Sequence, residues 1–558
     1  MSNIVLHSEG TGAKARATRF RDLINPPVIR QWISGGKLYR EQEERSSPRI
    51  ELFLDLLYVG VVHQLAEAAV EAPTAAGIAR FVLTFWPSWS VWEEARRYSN
   101  VSGTDDLVHR LWVLLGMLCI LGYTANASAI PLSHESDAAS AVAEAVGLVM
   151  RAEGVQGTEG IGGVVPEDLR APVRAAAAFF LIIKATRAIV LFLYAYWLPK
   201  FRISQFLSGV AVVIPMLAYL PLIWVRSRRA QVGCAIAGIL LDLMRVDMIL
   251  YNVYGRYMMV KRRREVRRQI EAGELDPADA PDMSLSILRM VKLPDNLRIA
   301  AINIEHSIDR SGAFTVLVLG ELVANLLYIA APGEFGAGNK FGKASLGFMV
   351  AWALNYLYTL PSDTHIIRYT HALRRSWLTG ILFNFFHWPL CASIVLAAAA
   401  SNKMVNSYDI IEPGVKWFWA GGLGCAVLFL GLIDLLHGEQ DKWNLARIPR
   451  ILRFAFACVG AILLATFPLY AKSMDSIEML GLAVGLTWAV LAVYVYGALP
   501  RWGATLPSDD EAEPVVIVTD LETGGGYEEH PHGPDDDYNS EHMHDDHPVS
   551  VHADPLKP

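Results

Sequence analysis

The sequence predicts an all-α integral membrane protein with about twelve transmembrane helices. Apolar side chains make up 53% of the 558 residues and charged ones only 19%, a balance that nearly excludes a soluble globular protein. Twelve stretches of about 20 mainly apolar residues follow one another, each long enough to cross the ~30 Å hydrocarbon layer as a helix. Short sequence matches also relate the first six stretches to the last six.

The chain divides into five parts. A polar, basic tail over 1–49 precedes a first six-helix half over 50–255. A basic cytosolic linker over 256–301 leads to a second six-helix half over 302–502, and an acidic, His-containing tail over 503–558 follows. The predicted spans are 50–72, 77–97, 108–131, 172–198, 203–225, 230–255, 302–330, 342–361, 373–400, 415–437, 449–472 and 476–500.

Charge is distributed unevenly along the chain. Residues 505–558 hold 15 acidic residues against one Lys, and they lack the apolar content to build a core, so we predict that this tail is disordered. With a cytosolic N-terminus, the inner loops and span edges carry 32 Lys and Arg and the outer ones 10. Because positively charged loops stay on the cytoplasmic side, both termini are expected in the cytosol. The membrane itself, plasma membrane or endomembrane, is left open.

The sequence contains no recognisable soluble-enzyme or cofactor motif. Walker A, G-x-G-x-x-G, G-x-S-x-G and H-E-x-x-H patterns are all absent, which argues against a pump with its own nucleotide-binding domain. The five Cys lie singly in apolar runs, so neither a disulfide framework nor a zinc ribbon is indicated. We expect no cofactor, no metal site and no nucleic-acid partner, and we consider an enzyme less well supported than a non-enzyme.

Two short matches predict a parallel pseudo-repeat of six plus six helices. Arg49-x-x-x-Phe53 in span one recurs as Arg310-x-x-x-Phe314 in span seven, an offset of 261 residues. Chance similarity of amphipathic helix starts is the alternative. Repeats of this kind commonly place a substrate path at their interface.

Charged residues inside the first span form two pairs. A charge at membrane depth costs about 2.5 kcal/mol or more, so each must face another helix, a partner charge or water. Glu51 and Asp55 lie four residues apart on one helix face, as do His63 and Glu67, and the two pairs are separated by about 18 Å of helical rise. The first pair is expected near the inner surface and the second toward the outer one.

Span seven carries a comparable set. Glu305 and Asp309 share a face, Arg310 lies on a neighbouring one, and Glu321 lies deep in the span. The small Gly320 beside it would let another helix approach this carboxyl. Because Glu321 has no basic neighbour one turn away, and desolvation makes a carboxyl bind a proton more readily, a proton relay or cation site is indicated. Glu67 in span one meets the same description.

Candidate charge partners lie in spans four and six. Lys184 and Arg187 lie in the middle of span four, and Asp242 and Arg245 lie three residues apart in span six. We interpret Asp242 and Arg245 as a local structural ion pair, with a role in an ion pathway as the alternative. If the pathway hypothesis holds, the membrane-embedded acids should meet around a hydrated cavity between the halves.

Span two presents an aromatic face. Trp86, Trp89 and Trp92 are followed directly by Glu93 and Glu94. Such a face beside acids could bind a cation or an organic substrate. An interfacial aromatic belt is the commoner explanation, and we favour it here.

Two motifs resemble a known family. Glu51-Leu-Phe-Leu-Asp55-Leu-Leu-Tyr58-Val opens span one, and Asp309-Arg310-x-Gly-x-Phe-x5-Gly-Glu321 lies in span seven. Together they resemble the bacterial low temperature requirement A (LtrA) family and its fungal relatives over residues 45–500. Asp309 stands where a Glu is expected, which keeps a carboxylate. The resemblance implies a multi-pass helical membrane protein linked to growth in the cold, without a defined molecular activity.

A second motif is similar to a potassium channel signature. Arg49-x-x-x-Phe53-Leu54-Asp55 is similar to the R-x-x-x-F-S-D signature of a channel family built from six-helix units. Leu54 replaces the Ser, and the second copy reads Phe314-Thr-Val316 without the Asp. These departures weaken the analogy.

The leading functional hypothesis is a transporter or ion-conducting protein that moves H⁺ or another cation with its membrane-embedded carboxylates. A membrane-embedded enzyme or accessory factor acting on lipid is the alternative, suggested by the cold-growth resemblance and by acid and His pairs near both surfaces. A receptor or scaffold with partner-recruiting tails is a third. The bilayer is the one partner that the sequence requires, and the oligomeric state cannot be read from it.

Overall fold

A computed structural model describes most of the region between residues 27 and 502. The described residues are 4–7, 27–35, 37–41, 49–102, 106–131, 170–274, 276, 297–327, 338–360, 371–406, 411–437, 446–470, 473–499 and 501–502. The predicted disordered tail over 503–558 lies outside them.

Helices dominate the described part of the chain. They are α1 Arg49–Glu71, α2 Ala75–Ser102, α3 Leu107–Ser128, α4 Ala171–Trp197, α5 Arg202–Tyr219, α6 Arg228–Leu243, α7 Val246–Glu271, α8 Ile304–Leu327, α9 Asn339–Thr359, α10 Ala372–Arg375, α11 Trp377–Asn406, α12 Pro413–Leu436, α13 Arg450–Thr466 and α14 Ser476–Ala498. Short 3-10 turns over Pro199–Phe201, Leu220–Ile223 and Phe467–Leu469 flank α5 and α13.

Nine of the helices in the described ranges are long and apolar enough to cross a membrane, which supports an integral membrane protein. They are α1, α3, α4, α5 with its flanking turns, α8, α11, α12, α13 with its flanking turn, and α14. The predicted spans two, six and eight correspond to α2, to α6 with α7, and to α9, which lie outside this set. The predicted count of twelve is therefore not confirmed, and the orientation of the termini stays a prediction.

The predicted sixth span is not one continuous helix. Helix α6 ends at Leu243 and α7 begins at Val246. Between them Arg245 adopts a left-handed backbone with φ 49°, a conformation that costs a residue with a Cβ roughly 1–2 kcal/mol. Helix α7 then continues past the predicted half boundary at 255, so the start of the predicted linker is helical.

A small four-stranded sheet supplements the helices. Its strands are β1 Ile4–His7, β2 Trp32–Ser34, β3 Lys37–Glu41 and β4 Ile299–Ala300, in the order β1-β3-β2-β4. The all-α prediction missed this sheet. A two-residue connection begins at Gly35, whose φ of 57° suits a tight hairpin, and the ring of Trp32 stacks on Tyr39 with centroids 5.3 Å apart.

Helix α1 lies at the centre of the helical packing. It contacts α2, α3, α8 and α11, so it joins the first set of helices to the second. Helices α3, α4 and α5 pack in sequence order on one part of the structure, and α11, α12 and α13 do so on another. The alanine-rich run 397–400 of α11 is deeply buried, and every residue in it is at most 2% exposed.

Candidate functional site

Helices α1 and α8 are joined by a buried ion pair. Arg310 donates from Nη1 to Asp55 Oδ2 at 2.5 Å and from Nη2 to Asp55 Oδ1 at 2.7 Å, a two-pronged geometry typical of Arg with carboxylate. Its Nε lies 3.2 Å from Glu51 Oε2, and Trp92 Nε1 donates to Asp55 Oδ1 at 2.8 Å. Three predicted pathway residues are thus held together as a structural ion cluster.

The hydrogen-bonding roles of the two His306 ring nitrogens, next to this cluster, follow from the neighbours of the ring. The backbone N–H of Asn303 donates to Asn100 Oδ1 at 2.7 Å, which fixes the orientation of the Asn100 amide. Asn100 Nδ2 must therefore donate to His306 Nδ1, 3.1 Å away. His306 then carries its proton on Nε2 and donates it to Glu51 Oε2 at 3.1 Å. Arg310 is the cation that contacts both acids.

A second pair joins the same two helices further along. His63 Nδ1 lies 2.5 Å from Glu321 Oε1, and Asn325 Nδ2 donates to the same oxygen at 2.5 Å. The His63 side chain is 45% exposed and that of Glu321 6%.

Glu67 Oε2 is buried with no hydrogen-bond partner among the described residues. The expectation for Gly320 is wrong, because it is exposed and nothing lies within 4 Å of a Cβ placed there.

Aromatic rings fill the space between these two layers. The ring centroid of Phe314 lies 4.3 Å from that of Trp92, 5.5 Å from Trp89 and 6.2 Å from Tyr58. Asp55 and His63 are eight residues apart, or about 12 Å of helical rise. The structure thus places Asp55 in one layer and Glu321 in another, so these acids do not meet in the way the pathway hypothesis expects.

The remaining span-seven acids lie elsewhere. Glu305 accepts a hydrogen bond from Arg374 Nη2 at 2.5 Å in a partly exposed ion pair. Asp309 is exposed. Neither acid joins the buried cluster at Asp55.

A cavity of about 670 Å³ lies away from the α1 and α8 interface. It is bounded by α2, α4, α5, the break between α6 and α7, strand β4 and the start of α11. The charged residues of its wall are Glu93, Glu94, Arg97, Arg187, Asp242, Arg245 and Asp247. Four of these seven residues were not predicted as site residues.

Lys184 connects two of the cavity acids. Its Nζ donates to Glu94 Oε1 at 2.6 Å and lies 3.6 Å from Asp242 Oδ1. Ser90 Oγ accepts from Lys184 at 2.7 Å and lies 3.2 Å from Asp242 Oδ2, while Trp86 Nε1 donates to the same oxygen at 3.3 Å. One buried ammonium is therefore shared by two carboxylates at the cavity wall.

The predicted local pair of Asp242 with Arg245 does not form. Arg245 donates to both oxygens of Asp247, at 3.1 and 2.9 Å. The left-handed turn at Arg245 takes its side chain off the face that Asp242 occupies, so a pairing expected from continuous helical spacing is lost. Asp242 pairs with Lys184 instead.

Arg187 differs from the other cavity cations. It is only 8% exposed, and its guanidinium carbon lies 5.0 Å from the ring centroid of Tyr98. Within the described part of the chain, no oxygen lies within hydrogen-bond or ion-pair distance of it. By contrast, Arg97 lies 3.6 Å from Glu93 and 3.9 Å from Asp247.

The residues that sequence reasoning missed were signalled by the aromatic face of α2. Trp86, Trp89 and Trp92 are at most 7% exposed, so the interpretation of these rings as an interfacial belt is wrong. Glu93 and Glu94 follow them directly and line the cavity. The alternative interpretation, an aromatic and acidic binding surface, describes their position better.

Comparison with known proteins gives one match. Residues 46–496 match the family described as bacterial low temperature requirement A protein (LtrA). No curated protein and no solved structure matches, and the similarity to the potassium channel signature finds no support. Among the described residues, no group of three or more His, Cys, Asp or Glu is placed to hold a metal ion.

Proposed function

We propose that this chain, which belongs to the bacterial low temperature requirement A family over residues 46–496 and is a multi-pass helical membrane protein, is a transporter. In this proposal, carboxylates at membrane depth move H⁺ or another cation. The observation that carries the proposal is the cavity at the α6 and α7 break, because two acids of its wall, Asp242 and Glu94, share the buried ammonium of Lys184.

The Lys184 ammonium can pair with either of two carboxylates, Glu94 or Asp242. Lys184 Nζ lies 2.6 Å from Glu94 and 3.6 Å from Asp242. A proton arriving on Glu94 removes the charge that holds Lys184 there, and the ammonium then pairs more closely with Asp242. Because charges at membrane depth are costly and usually functional, an arrangement that couples proton binding to side-chain movement supports transport.

The helix break supports the same conclusion. Interrupted helices at membrane depth are tolerated where they line a cavity, and transporters use their ends to form substrate sites. Here α6 ends and α7 begins at residues that line the cavity. The pair of His63 and Glu321 forms a second candidate proton site, whereas Asp55 and Arg310 act as architecture.

A proton-flux assay tests the proposal. The purified chain is reconstituted in liposomes containing a pH-sensitive dye, and a pH gradient is imposed. Asp242→Asn and Glu94→Gln should each lower the protein-dependent flux roughly tenfold or more, the order of effect expected when a positioned proton carrier is removed. Glu71→Gln, at an exposed position at the end of α1, is the matched control and should behave as wild type.

Two results would count against the proposal. One is wild-type flux no greater than that of protein-free liposomes. The other is undiminished flux in both cavity variants. The pair Glu67→Gln with Glu321→Gln tests the second site separately, since a loss in that variant alone would move the pathway to the α1 and α8 interface.

A further inference from the structure

The cavity wall contains a buried cation for which the described residues supply no hydrogen-bonded acceptor. Arg187 is more than nine-tenths buried and lines the cavity wall, and no acceptor oxygen of the described residues reaches its guanidinium. A buried charge without a hydrogen-bonded partner is strongly unfavourable. A ligand that supplied the missing acceptor would offset this cost.

The neighbours of Arg187 leave it available to a ligand. Glu94 is the acid that acts most strongly on it electrostatically, but Glu94 Oε1 accepts a hydrogen bond from Lys184 at 2.6 Å. The ring of Tyr98 covers one face of the guanidinium, and the Tyr98 hydroxyl is 3.0 Å from that of Tyr194. Stacking on one face leaves the N–H edges free to donate in plane, which suits a carboxylate.

The remainder of the cavity wall fits an apolar body. Trp86, Trp89 and Phe385 line it together with aliphatic side chains of α4 and α5. Its volume of about 670 Å³ falls within the range of about 300–1,000 Å³ typical of small-molecule sites. A pocket that combines an apolar, aromatic wall with a few polar anchoring groups is typical of sites for amphipathic organic molecules.

The charges around Arg187 disfavour a ligand with more than one negative charge. The acids Glu93 and Asp247 in the wall are paired with arginines, whereas Glu94 and Asp242 share the single ammonium of Lys184, so negative charge remains close to Arg187. The nearby Glu94 would repel a second negative charge on the ligand. A phosphate dianion is therefore disfavoured relative to a carboxylate.

We propose that this cavity binds an organic monocarboxylate, with its carboxylate on the Arg187 guanidinium and its apolar body against the aromatic wall. The assignment rests on the proposed function, since it names the substrate class that moves through the same cavity. Proton binding at Glu94 and Asp242 would then accompany movement of the anion.

Calorimetric titration of the full chain in lipid nanodiscs tests the assignment, with benzoate, its neutral isostere benzamide, and phenyl phosphate as probes. Benzoate should bind more tightly than benzamide and phenyl phosphate. Arg187→Gln should weaken benzoate binding roughly tenfold or more, because hydrogen bonds to a charged group contribute about 1.5–3 kcal/mol. The same variant should leave benzamide binding unchanged, and Arg187→Lys should fall between.

Arg228→Gln is the matched control, because Arg228 borders a different cavity of about 270 Å³, and it should bind benzoate as wild type does. Equal affinity for benzoate and benzamide overturns the proposal, as does unchanged benzoate binding in Arg187→Gln. Tighter binding of phenyl phosphate assigns the site to a phosphate group instead. Should Arg187→Gln fail to fold, the wild-type probe series and Arg187→Lys still decide.

These titrations use no gradient. Arg187-dependent benzoate binding without proton flux would remove the transport proposal and keep the site. Proton flux without benzoate binding would remove the assignment of the monocarboxylate site and keep the transport proposal.

Discussion

His371 is a buried imidazole whose surroundings favour its neutral form. It is 5% exposed, and its Nδ1 accepts a hydrogen bond from the backbone N–H of Leu373 at 3.2 Å, which caps α10. The ring packs edge-on against His437 with centroids 4.6 Å apart. Burial lowers the pKa of His371 to about 3, and the nearby His437 and Arg374 add to the effect.

This pKa predicts a loss of stability in acid. The folded-state pKa lies below the ordinary 6.5, so below pH 6.5 the unfolded chain binds a proton that the folded chain resists. The contribution is complete above pH 6.5 and is lost as pH falls toward 3, at up to about 1.4 kcal/mol per pH unit. Unfolding of the purified protein, followed from pH 7.5 to 4.5, should be less pH-dependent in His371→Asn, which keeps a capping oxygen. The same dependence of unfolding on pH in wild type and in His371→Asn would exclude a role for His371 in acid stability.

At the residue scale, sequence reasoning finds charged residues better than their partners. Helical periodicity shows that Glu51 and Asp55 share a face, but it cannot show which helix that face meets. Arg310 was therefore predicted as a pathway residue, and the structure shows it to be the counter-ion of Asp55. Arg187 was predicted as a charge partner from its position in the middle of span four, but the sequence cannot show that the described residues give it no acceptor.

At the scale of elements, glycines set the spacing around α12. A Cβ at Gly424 would lie 2.6 Å from the carbonyl oxygen of Ala461 in α13, and one at Gly422 would lie 2.7 Å from that of Ser393 in α11. Two helices therefore approach α12 closely from different sides. Small residues allow such backbone approach in membrane helices, where van der Waals packing drives association.

Gly424→Ala should consequently destabilise the protein by about 1–3 kcal/mol, because the contacted atom is backbone and cannot rotate away. Gly421→Ala, on the same helix with nothing within 4 Å of its Cβ, should be neutral or stabilising by up to about 1 kcal/mol. Thermal unfolding of both variants in detergent measures the difference. Equal effects would show that α12 and α13 can separate without cost.

The two elements that were missed have different causes. The break between α6 and α7 has no Gly or Pro, and the run Asp242-Leu-Met-Arg245 continues an apolar helical pattern, so local sequence gives no warning. The small sheet was predictable in part, since Ser34-Gly-Gly-Lys37 is a hairpin signal. The pairing of β2 with β4 joins residues more than 260 positions apart, and no local pattern specifies it.

At the scale of the whole molecule, three cross-helix pairs show that α1 and α8 run in the same direction. Glu51 with His306 and Asp55 with Arg310 are both separated by 255 residues, and His63 with Glu321 by 258. A nearly constant separation along both helices requires parallel axes. This is what an even number of spans per half would give, although the repeat itself remains a prediction.

Asp55→Ala should destabilise the fold by about 3–5 kcal/mol, because the buried Arg310 would lose both Asp55 oxygens and keep only Glu51 as an acidic partner. The double variant Asp55→Ala with Arg310→Met should recover part of this loss, since it removes both charges. Asp309→Asn, at an exposed position on α8, should change stability by no more than about 0.5 kcal/mol. Denaturant unfolding in detergent gives the three values. A double variant that is no more stable than the single one would contradict the ion-pair explanation.

Helix α7 has a mechanical consequence. It runs without interruption from Val246 to Glu271, about 39 Å at 1.5 Å per residue. Asp247, in its first turn, lies in the cavity wall, and the basic run Lys261–Arg264 begins about 21 Å further along the helix. Because α7 is continuous, a tilt imposed on its basic run by a lipid surface would also displace Asp247 and the part of the cavity wall around it.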